Sequence, residues 1–159
     1  MTAKEYLENY RRAQARADKL REKYDSLAEA YGDVGGQAFT EYHRAGISKP
    51  TERKVERAAA ALEKWRAAQI HALEIRQDIY ALLESLPVHE ADIMVRRYVW
   101  LEIWEQIEQE TGYTHSNVFK LHRQALRHTQ ENIDAGYIDE IRDDLDTYIK
   151  RRTWPAFTE

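Results

Sequence analysis

Between Tyr113 and His128 the chain carries three bases, Lys120, Arg123 and Arg127, and no acid. Cations grouped on one segment attract a polyanion, because each releases counterions condensed on the phosphates. Asn117 lies in the same stretch, and its amide pairs a donor with an acceptor as an adenine edge requires. The Arg123 guanidinium suits guanine or phosphate. His115, His122 and His128 add partial charge, and Arg96 and Arg97 upstream are placed for phosphate contacts. An ordinary solvated basic face would carry the same residues, so chemistry alone leaves both readings open.

Other chemistries find little footing. The chain has no cysteine, which removes disulfides, thiolate metal sites and thiol nucleophiles. His115 and His122 are two helical turns apart and lack an HExxH motif or a carboxylate partner, so no metal is expected. No nucleophile signature and no glycine-rich phosphate loop occurs, so neither an enzyme nor a cofactor is expected. No apolar run reaches the ~20 residues needed to cross a bilayer. The N-terminus MTAKEYLENYRRAQ has no apolar signal core, which predicts a cytoplasmic protein without membrane contact. The net charge of −4 makes the chain as a whole a poor nonspecific DNA binder. Glu90 to Glu110 adds six acids against two bases. Any nucleic-acid contact must therefore be local and salt-sensitive.

The elements that position these groups are helical. With 43% hydrophobic and 33% charged residues, 6 Gly and 3 Pro, the composition predicts an all-α fold with a real core. Tyr6, Tyr10, Ala13, Ala17, Leu20, Tyr24, Leu27 and Tyr31 alternate spacings of four and three, a heptad seam on one helix. Gly32, Gly35 and Gly36 predict its end, with a short segment from Gln37 to Ala45 after it. Ser48 as N-cap and Pro50 in the first turn predict a second helix running to Ser85. Its two apolar flanks, one through Val55, Leu62 and Ile79 and one through Leu73, Tyr80 and Leu83, predict contact with more than one neighbour. The expected division is a long antiparallel hairpin over 1–86, a compact module over 87–133, and an acidic amphipathic helix with its tail over 134–159. Residues 131–146 hold seven acids and one Arg, which sets this last part electrostatically against the basic stretch.

The module has the spacing of a DNA-binding helix-turn-helix. Two helices crossing steeply on a tight turn need glycine at the ninth position and apolar residues at the fourth, tenth, fifteenth and eighteenth. Counted from Trp104, these are Gly112, Ile107, Tyr113, Val118 and Leu121. The fifth position, ordinarily small, is Glu108. Trp104 is expected in the core and Trp100 at the joint between modules.

The stretch from Glu90 to Leu126, with EADIMVRRY, WEQI, TGYTHSNV and LHRQAL, resembles region 4 of bacterial sigma factors. It is most similar to the sigma-region-4-like regulators of phages and prophages, such as late-gene activators of the RinA and ArpU type. The resemblance implies that the second helix of the motif enters the major groove. Thr114, His115, Ser116, Asn117, Lys120 and Arg123 would then be the groove-facing residues. It further implies double-stranded promoter or operator DNA as partner, with RNA polymerase or a second copy contacted by the hairpin. Two other functions stay open. The fold could serve as a protein-docking module without DNA, or as a small-terminase-like packaging protein, although in those the DNA module generally precedes the oligomerising part.

Overall fold

The computed structural model describes the backbone of residues 1–45 and 49–138, with side chains for 1–30 and 52–138. The described residues form α1 (Ala3–Ala45), α2 (Lys49–Glu84), α3 (Val88–Tyr98), α4 (Trp104–Thr111) and α5 (His115–Asp134), and among them there is no strand. Ser48, most of the acidic helix and the tail from Trp154 to Phe157 lie outside the described residues.

The N-terminus of α1 carries a reciprocal cap. Glu5 Oε2 accepts from the Thr2 backbone N–H at 2.8 Å, and Thr2 Oγ1 accepts from the Glu5 N–H at 3.3 Å. The expected stop at Gly32 does not occur, and no separate segment starts at Gln37. One helix continues through Gly32, Gly35 and Gly36 to Ala45. Glycine inside a helix costs about 1 kcal/mol relative to alanine but keeps its N–H available to the ladder, so it weakens the helix without ending it.

Contacts divide the chain into two compact units, residues 11–73, and residues 1–10 together with those from 74 onward. In the first unit, Ala17 of α1 and Ala61 of α2 are buried. Tyr24 of α1 stacks on Trp65 of α2 with ring centroids 5.8 Å apart, and the Arg21 guanidinium lies over the same indole. Val55 of the first apolar flank of α2 and Leu73 of the second stay exposed in this unit, as does Ile70.

The second unit takes in the ends of both long helices. Tyr6, Leu7 and Tyr10 of α1 and Ile79, Leu82 and Leu83 of α2 are buried here with Ile93, Met94 and Tyr98 of α3 and Ala125 of α5. The Ala3 N–H donates to Gln130 Oε1 at 2.7 Å, and Asn132 Nδ2 donates to Ser85 Oγ at 2.9 Å. The core therefore runs across residue 86, where the sequence suggested a boundary. At the far end of α5, Gly136 takes a left-handed φ of 80° and helical turns resume at Tyr137.

Candidate nucleic-acid interface

The three short helices are built around one apolar centre. Ile93, Ile107 and Val118 are fully buried together, with Trp104, Tyr113 and Leu121 packed against them. Four of these six, Ile107, Tyr113, Val118 and Leu121, are the apolar positions that the helix-turn-helix spacing selects. Gly112 ends α4 with φ 69° and ψ 9°, and its N–H donates to the Glu108 carbonyl. Thr114 then caps α5, its Oγ1 and carbonyl accepting from the Asn117 N–H. The two helices are thus joined by Gly112, Tyr113 and Thr114 alone. The turn is tied down by the Tyr113 hydroxyl, 2.8 Å from His89 Nδ1 of α3.

A Cβ added at Gly112 would meet nothing within 4 Å, so only backbone conformation resists substitution. Gly112→Ala is expected to lower stability by about 1 kcal/mol, and Gly112→Asn by less, because asparagine tolerates the left-handed region. Urea unfolding of the two variants checks the order. Equal losses would mean that the strain lies elsewhere.

The 4, 3, 4 spacing of buried Val118, His122, Ala125 and Thr129 sets one face of α5 against the rest of the unit. Ser116, Lys120, Arg123 and Arg127 repeat that spacing two residues earlier, on the opposite face, and all four are exposed. Among the described residues no acid pairs with Lys120 or Arg123. Arg127 Nε is 4.0 Å from Glu131, both side chains about two-thirds exposed, a contact of little energetic weight. Lys120, Arg123 and Arg127 thus form one open stripe. Asn117 is half-buried beside it, and Thr114 and His115 stand exposed where α5 begins.

Arg96 and Arg97 do not join that stripe. Arg96 pairs with Asp92 at 3.1 Å and Glu102 at 3.4 Å, and lies over the Trp100 ring at 5.0 Å. Desolvation opposes its charge, but attraction to Asp92 and then to Glu102 prevails and raises its pKa above the ordinary value. Arg97 donates to the Glu102 carbonyl at 2.9 Å and covers Trp104 at 4.5 Å. Both guanidiniums clamp the connection from α3 to α4, where Leu101 holds a positive φ of 60° that a side chain disfavours. They act inward, stabilising the loop, where the sequence suggested phosphate contacts.

The histidines also separate. His122 is buried, 3.0 Å from the Tyr98 hydroxyl and edge-on to Trp104. Its pKa falls to about 4, through burial first and then the charges of Arg97 and Lys4, so it brings no positive charge to α5 at neutral pH. His128 Nδ1 is 2.6 Å from Glu90, a buried carboxylate of α3. His115 Nδ1 meets Glu108 at 2.5 Å. Trp104 is packed on the core as expected, whereas Trp100 stands 52% exposed in the loop rather than in a joint. Sequence reasoning passed over His89 and Phe119, which brace this unit through Tyr113 and Trp104. The periodic burial of α5 could have marked His122 as a core residue.

No protein family, curated protein or solved structure matches this chain.

Proposed function

We propose that the chain is a DNA-binding transcriptional regulator of the phage or prophage type, reading duplex DNA with α5. One observation carries this reading. Ser116, Lys120, Arg123 and Arg127 make an exposed face on the helix that follows a three-residue turn, and among the described residues no acid pairs with Lys120 or Arg123. A helix presented in this way fits the major groove, with cations for phosphate and guanine and amide or hydroxyl groups for base edges. Glu105 and Glu110 of α4 are exposed and repel phosphate, so affinity is modest and falls steeply with salt. The α1–α2 unit is then the part available to RNA polymerase or to a second copy.

Iterative selection from random duplex DNA, at low and at physiological salt, tests the reading. Enrichment of one motif supports a sequence-specific regulator and identifies its operator. No enrichment from folded protein transfers the function to protein docking. The observation that favours docking is the loop from α3 to α4, where Trp100 and Ile103 stand 52% and 54% exposed.

A further inference from the structure

Glu108 occupies the position where two crossing helices ordinarily require a small residue, and its carboxylate reaches across the turn instead. Oε1 lies 2.5 Å from Nδ1 of His115, the first residue of α5. A carboxylate offers only lone pairs, so the proton of this bond sits on Nδ1. The imidazole is also braced by Phe119, with centroids 4.5 Å apart, and Phe119 leans on Trp104 at 4.7 Å. The bond favours the Nδ1–H tautomer and the Phe119 contact orients the ring, while the His115 side chain remains 73% exposed. Among the described residues Nε2 has no partner. In the neutral ring that nitrogen is a pure acceptor.

We propose that His115 reads a base edge through Nε2, and that Glu108 is the positioning residue that makes this nitrogen an acceptor. The inference rests on the DNA-reading role of α5. In the major groove only adenine N6 and cytosine N4 offer amino donors. His115 therefore selects adenine or cytosine at the base it meets and disfavours guanine and thymine. A histidine free to exchange tautomers would donate or accept and lose that distinction. Glu108 thus sets the sense of a contact that it does not itself make.

Two measurements test this at pH 8, where an ordinary histidine is neutral. Long-range nitrogen–proton spectra of the full chain are expected to show His115 protonated at Nδ1. In Glu108→Ala the proton should move toward Nε2, the nitrogen that free imidazole favours. Wild-type His115 protonated at Nε2 would overturn the proposal without any reference to DNA. In selection from random duplex DNA, one position preferring adenine or cytosine by about threefold or more is expected, the worth of a single hydrogen bond. That preference should vanish in both His115→Ala and Glu108→Ala, while the rest of the motif persists. A motif unchanged by Glu108→Ala overturns this inference alone. If the wild type enriches nothing, the DNA reading falls and base selection by His115 falls with it, whatever the tautomer shows.

Discussion

Replacing Lys120 and Arg123 together by alanine is expected to lower affinity for the selected duplex by about 30-fold or more. Each side chain that meets a phosphate or a base edge contributes about 1–3 kcal/mol, and about 1.4 kcal/mol is tenfold in affinity. Loss of two cations from the interface also reduces the slope of log affinity against log salt by about two. The two observables separate the roles. A phosphate contact weakens all sequences alike, whereas a guanine contact also relaxes the motif at one position. Both side chains are exposed on the face opposite Val118 and Ala125, so the double variant should unfold as the wild type does, within about 0.5 kcal/mol. Arg127→Ala should have a smaller effect, since Arg127 stands next to Glu131 and farther from the start of the helix. Undiminished binding by the folded double variant would remove this face from consideration.

The apolar logic of the three short helices was legible because it is periodic. Ile107, Gly112, Tyr113, Val118 and Leu121 follow from the geometry of a turn, and the structure gathers the four apolar ones around Ile93. The heptad seam from Tyr6 to Leu27 was legible for the same reason. What the seam could not disclose is a change of partner along one helix. Tyr6 and Tyr10 belong with α3 to α5, while Ala17 and Tyr24 belong with the middle of α2, and spacing is identical throughout. The glycines at 32, 35 and 36 misled because a helix interior tolerates a modest penalty that a terminus would avoid.

Polar pairing was the least legible part of the site. Arg96 and Arg97 read as phosphate ligands from charge alone. Only the fold shows Asp92, Glu102 and two indoles converging on them. Glu108 read as a misfit at a crossing, since a bond to a residue seven positions away across a turn has no periodic signature. The charge state of His122 depends on burial and on Lys4 and Arg97, groups that the sequence places far apart or on another helix. Charge patterns thus marked the basic stripe of α5, but packing decided which charges belong to it.

His122 makes the α3–α5 unit sensitive to acid. Its pKa is about 4 in the folded protein against an ordinary 6.5, so the unfolded chain binds the extra proton first. Stability is complete above about pH 6.5, declines as pH falls, and has lost the whole contribution below about pH 4. A shift of that size corresponds to about 3 kcal/mol, a large share of the margin of a small domain. The ring is 9% exposed, so solvent does little to screen the penalty. Urea unfolding followed at α5 amides, at pH 7 and pH 4.5, is expected to show the loss. His122→Gln keeps a polar group facing the Tyr98 hydroxyl but cannot titrate, so its stability should fall less over that interval even if it starts lower. The carboxylates contribute equally to both proteins and cancel in the comparison. Parallel pH dependences would assign the acid sensitivity to other groups.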